Sequence, residues 1–133
     1  MSTLVKTMSI AGLALVAASA SAEVVVIVSA KSNATSMTTE EIANIYLGKS
    51  TALKPVDNAP AVRNQFYAKV AGKDEAQVKA IWSRLVFTGK ATPPKEMASS
   101  ADVVKAVAAD PGAIGYIDKA AVDDSVKVVY EVK

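Results

Sequence analysis

"LKPVDNAPAVRNQFYAKVAG", Leu53 to Gly72, sets a short extended run against a helical one, with a turn between them. "LKPVD" reads as a strand with a proline inside it. Proline has no N–H for a ladder, so the strand either lies at a sheet edge or begins its hydrogen bonding after Pro55. Beyond the turn, Pro60 suits the first turn of a helix, Val62, Phe66 and Val70 recur at i, i+4 and i+8, and Gly72 supplies the stop. Strand, turn and helix in that order are the unit from which α/β folds are built.

The rest of the chain extends the unit in both directions. "EVVVIV", Glu23 to Val28, is a continuous β-branched run, which predicts a strand covered on both faces. In "TTEEIANIYLGK", Thr38 and Glu41 have capping-box spacing, Ile42, Ile45 and Tyr46 share one face, and Gly48 ends the helix. Asp74 is placed to cap "EAQVKAIWSRLVFTG", whose stripe of Val78, Ile81, Trp82 and Leu85 assigns Trp82 to the core. Pro93 and Pro94 keep "KATPPKEMASS" a loop. Ser99 or Ser100 caps "ADVVKAVAAD", Pro111 and Gly112 turn the chain into "AIGYID", and "VKVVY" is a last strand. Strands alternating with helices predict an α/β sandwich, a sheet with helices on its faces.

The N-terminus reads differently. One early Lys6, an apolar run from Met8 to about Ala18, no acid before Glu23, and small residues at Ala20 and Ala22 form the layout of a secretory signal peptide. The apolar run is too short for the ~20 residues that a membrane span needs. Residues 1–22 are therefore assigned to the signal peptide, cut after Ala22, and residues 23–133 to one domain, free in the periplasm and not embedded in a membrane. With no Cys there is neither a lipid-anchoring thiol nor a disulfide, so the core must carry the stability. No His and no Cys also remove the usual zinc sites and the thiol and imidazole nucleophiles, so an enzyme is not expected and no cofactor is implied. Asp123 and Asp124 are acids in a turn without a visible partner.

The full chain carries a net charge of +2, too little to imply a nucleic-acid partner. Its distribution is uneven: from Lys49 to Lys95 nine bases face three acids (Asp57, Asp74 and Glu75), while both flanks are acidic. A basic middle either attracts an anion or is a set of solvated helix faces. In an open α/β sheet ligands bind where a strand ends and the next helix begins, and a helix N-terminus offers N–H groups and partial positive charge to an anion. "VDNAPAVR" occupies such a place, with Arg63 able to present a forked donor pair. The other role open to Arg63 is capping, or pairing with Asp57.

Two segments carry a family resemblance. "MTTEEIANIYLGK" resembles the "LSxEEIxxIFxGK" segment of the phosphate substrate-binding proteins of ABC transporters, and "DPGAIGYID" resembles their "xPGAIGYV" segment. Between them, Arg63 to Lys90 is similar to the short, single-lobe members of that group, in the type 2 periplasmic-binding-protein superfamily. The resemblance implies a single periplasmic-binding-protein-like lobe, a mixed sheet flanked by helices, similar to the second lobe of a two-lobed protein. The family's phosphate loop reads close to "GSGTR"; the matching place here is "APAVR", Ala59 to Arg63. The hydroxyls are gone, and Pro60 removes a backbone donor. Arg63 is carried over by position as the ligand-binding residue, with Asn58, Ala61 and Val62 as its neighbours. Within "PGAIGY", Gly112 and Gly115 are expected to serve a turn and close packing, and Tyr116 to sit in the core with its hydroxyl at the surface.

The function expected is an exported solute-binding module that holds phosphate or another oxyanion weakly and reversibly, working with a membrane transporter. The alternative is an interaction or sensor-partner domain that keeps the lobe fold without the ligand.

Overall fold

The computed structural model describes residues 23–133; the expected signal peptide, residues 1–22, lies outside the described residues. Five strands and four helices follow one another as β1 (Val24–Ser29), α1 (Thr39–Tyr46), β2 (Lys54–Asp57), α2 (Pro60–Phe66), α3 (Glu75–Phe87), β3 (Lys95–Glu96), α4 (Ser100–Ala108), β4 (Ala113–Asp118) and β5 (Val126–Glu131). The strands form one sheet in the order β3-β2-β4-β1-β5. β2 runs parallel to both β3 and β4, whereas β1 is antiparallel to β4 and β5, so the sheet is mixed as the resemblance implied.

β1 is buried along its whole length because each face has its own cover. Val24, Val26 and Val28 pack with Ile114 and Tyr116 under α1, α2 and α3, and Val25 and Ile27 pack with Ile117 under α4. Alternation along β5 gives Val126 to one face and Val129 to the other, and a register shift between Val26 and Ile27 brings Tyr130 to the Val129 side as well. Gly115 lies where α4 crosses the sheet, and a Cβ there would stand 2.6 Å from Val103 Cγ1 and 2.9 Å from Val107 Cγ2. Close packing is thus the reason for this glycine, as expected.

The local signals act as read. Thr38 and Glu41 close a capping box, Asp74 closes another with Gln77, and Ser99 rather than Ser100 caps α4. Neither reading of Pro55 holds: β2 is not an edge strand, and its pairing with β4 already includes Lys54 and Pro55, while its pairing with β3 is confined to Val56 and Asp57, after the proline. "KATPPKEMASS" is a loop up to Pro94 and then contains β3. After Phe66 the helix widens into a π-helical turn, Tyr67–Ala71, closed by Gly72 in the left-handed region (φ 64°). The wider turn puts Tyr67 inside next to Phe66 and Val70, while Val62 is only half-buried, so the inward face is not the simple i, i+4, i+8 stripe.

Trp82 is in the core and donates from Nε1 to Tyr46 O at 2.8 Å. Tyr116 corrects the sequence reading. Its ring is in the core, and its hydroxyl is buried too, donating to Asp57 rather than reaching the surface.

Candidate functional site

The C-terminal end of β2 delivers Asp57 and Asn58 to the mouth of α2, the position at which an open α/β sheet gathers a site. Asp57 is buried, and one of its oxygens, Oδ1, accepts from Tyr116 Oη at 2.8 Å and Tyr67 Oη at 3.0 Å. Tyr67 is there because of the π-helical turn, and Tyr116 because β4 is the neighbour of β2. Tyr116 Oη also accepts the Asn58 backbone N–H at 3.1 Å, which ties the turn to the sheet. Behind them Phe66 stacks on Tyr116 with ring centroids 3.9 Å apart, and Tyr46 donates to the carbonyls of Val56 and Ile114.

Burial raises the Asp57 carboxyl above its ordinary value; the two hydroxyls and the charge of Arg63 pull it back, and Glu96 pushes it up again. Burial, with the charge of Asp57 next, raises the phenols of Tyr67 and Tyr116 far above their ordinary value, so both remain donors.

Arg63 lies one turn inside α2 with its side chain only 14% exposed. NH2 meets Glu75 Oε2 at 3.1 Å, and NH1 meets Glu96 Oε1 at 3.3 Å and the Asn58 carbonyl at 3.4 Å. Burial opposes its charge, but Glu96, Asp57 and Glu75 outweigh burial and hold the guanidinium above its ordinary value. The two glutamates are exposed (51% and 71%), so each pair is the loose, solvated kind worth about 0–1 kcal/mol. Beside this cluster opens a cavity of about 170 Å³ with Tyr67, Val78, Trp82, Pro93 and Pro94 in its wall. Asp57, Glu75 and Glu96 give its charged lining three carboxylates against Arg63 and Lys79.

The structure therefore brings Arg63 and Asn58 together but gives them internal work. Asn58 is 1% exposed; its Nδ2 donates to Tyr116 O and Ser100 Oγ, and its Oδ1 accepts from Ala59 N. Ala61 is exposed on the first turn, and Val62 packs against the core. The expected alternative partner of Arg63, Asp57, instead takes two tyrosines, and the pairing falls to Glu75 and Glu96. Sequence reasoning missed Glu75, Glu96, Tyr67 and Tyr116 as members of this cluster. Only Glu75 left a signal, as the acid that opens the helix after Asp74. Asp123, read as unpartnered, caps its own turn by accepting from Ser125 N at 2.8 Å.

No family model matches the chain, and no curated protein matches its sequence. Solved structures do match. One is a candidate phosphate ABC transporter substrate-binding protein with bound phosphate from Clostridium perfringens, at 22% identity and a TM-score of 0.64, the match covering 80% of this chain and 44% of that one. An ABC-type phosphate transport receptor from Vibrio cholerae matches at 19% identity and 0.64, over 80% and 45% of the two chains. PstS from Borrelia burgdorferi matches at 14% identity and 0.53, over 81% and 46%. The chain spans less than half the length of each of these proteins. At such identities the likeness is one of fold: this chain has an open, mixed α/β architecture shared with part of each of these substrate-binding proteins.

Proposed function

We propose that this chain is an exported lobe of the solute-binding type in which the anion-recognising arginine has been turned inward, so that the domain serves a protein partner rather than carrying phosphate. The observation behind this reading is the state of Arg63, whose guanidinium is shared by Glu75, Glu96 and the Asn58 carbonyl. A phosphate dianion arriving there would have to displace two carboxylates and then sit beside a third, Asp57, in a region where the like charges repel it. The loop hydroxyls that would offset this cost are absent from "APAVR". Residues 1–22 act as the signal peptide, residues 23–133 as the single domain, and a membrane transporter or a sensor protein is the kind of partner such a lobe meets. No chemical step is assigned to it. Among the described residues no helix is long and apolar enough to cross a membrane.

The second reading, weak and reversible oxyanion binding, has one feature in its favour. The first-turn N–H groups of Ala61 and Val62 lie beyond the reach of any intrahelical carbonyl and stand beside Arg63, with Glu75 and Glu96 exposed enough to swing away. Titration calorimetry separates the two readings. With phosphate, sulfate and chloride at matched ionic strength, the protein is expected to show no heat particular to phosphate up to millimolar concentration. A phosphate-specific isotherm that Arg63→Ala removes would establish the second reading in place of the first.

A further inference from the structure

Away from the Arg63 cluster, the C-terminal end of α3 is unusual for the surface of a folded domain. Phe87, its last residue, is 91% exposed, and Val86 beside it is 45% exposed. They edge a shallow groove formed with Trp82, Ser83 and Pro93. From Ala76 to Lys95 the chain has four cations, Lys79, Arg84, Lys90 and Lys95, and no acid. All four are exposed, and none takes part in an ion pair among the described residues. Helical spacing sets Arg84 one turn before Phe87, and Lys90 lies three residues beyond Phe87, after Thr88 and Gly89.

A large ring left in water with unpaired cations around it marks a surface that is covered in use. We propose that this tip docks on an anionic lipid bilayer, Phe87 and Val86 entering the boundary between headgroups and acyl chains while Arg84 and Lys90 meet the lipid phosphates. A bilayer fits better than an acidic protein face for two reasons. A ring solvated on almost every side gains contact only from a partner that closes around it, which a fluid interface does without a pre-formed pocket. The cations are also spread along the segment rather than gathered into a fork, which suits a diffuse negative surface. The proposal is independent of the Arg63 site and of what that site binds.

The absence of cysteine allows a site-specific test. An environment-sensitive fluorophore on Ser83→Cys reports from the groove, and the same label on Asp124→Cys serves as a control in an exposed turn. With phosphatidylglycerol vesicles the Ser83 reporter should shift to the blue, with phosphatidylcholine vesicles it should not, and the Asp124 reporter should not move with either. Phe87→Ser should abolish the shift, and Arg84→Gln with Lys90→Gln should weaken vesicle affinity by about tenfold or more. A Ser83 reporter that stays unchanged on phosphatidylglycerol, even if the chain sediments with the vesicles, would overturn the proposal and leave the tip as a protein-facing surface. So would an equal shift on both lipids, or a shift that survives Phe87→Ser.

Discussion

Asp57 is a carboxylate held where water barely reaches it, with two tyrosine hydroxyls converging on a single oxygen. Because burial raises its folded-state value above the ordinary carboxylate value, the folded protein holds a proton at Asp57 more tightly than the unfolded chain does. Its contribution to stability is therefore fully present below the ordinary carboxylate range and is lost as pH rises through the folded value. Asp57→Asn keeps an oxygen that can accept from Tyr67 and Tyr116 and removes the charge. The variant should gain stability relative to wild type on going from pH 4 to pH 7, as read by urea melts at the two values; a relative loss over that interval would mean that the Asp57 charge stabilises the fold. Little of this was legible in the sequence. Asp57, Tyr67, Glu75, Glu96 and Tyr116 are scattered over half the chain, and no periodicity links residues that meet only through the sheet order and a π-helical turn. Tyr116 shows the cost: alternation along β4 places its ring inside, but the depth of its hydroxyl depends on where Asp57 ends.

Helices and strands were far more readable, since their signals are local. Caps at Thr38, Asp74 and Ser99, stops at Gly48 and Gly72, and the β-branched run of β1 each act within a few residues of where they stand. What escaped is non-local: β3 exists only because two residues after Pro94 find the free edge of β2, and the widened turn after Phe66 goes with a bond from Tyr67 to a buried acceptor on another element. Two substitutions test the packing of elements. Gly115→Ala would press a methyl into Val103 and Val107 and should cost about 1–3 kcal/mol in a urea melt; a change of only a few tenths would mean that α4 is free to lift off the sheet. Trp82→Ala removes a core ring and its bond to Tyr46 O and should cost about 3–5 kcal/mol. A near-neutral result there would place the α3 stripe on solvent.

For the molecule as a whole, the alternation of strands and helices sufficed for the α/β class, the mixed character of the sheet was implied by the resemblance, and the order β3-β2-β4-β1-β5 came from the structure alone. Charge was the least faithful guide. The segment from Lys49 to Lys95 carries nine bases against three acids, which suggests a field that draws anions. Folding gathers two of those acids, Asp57 and Glu75, with Glu96 from just beyond the segment, around Arg63. The place expected to be most attractive to phosphate is thus the place where carboxylates are concentrated. If those carboxylates are what keep phosphate out, removing them should let it in. Thermal melts of wild type and of the Glu75→Gln, Glu96→Gln double variant in phosphate, sulfate and chloride at matched ionic strength address this directly, because a ligand that binds only the folded state stabilises it by RT ln(1 + [L]/Kd). The account predicts that the three salts act alike on wild type and that only the double variant is stabilised by phosphate beyond the other two, an effect that Arg63→Ala then abolishes. Phosphate-specific stabilisation of wild type, or a double variant that remains indifferent to phosphate, would contradict it.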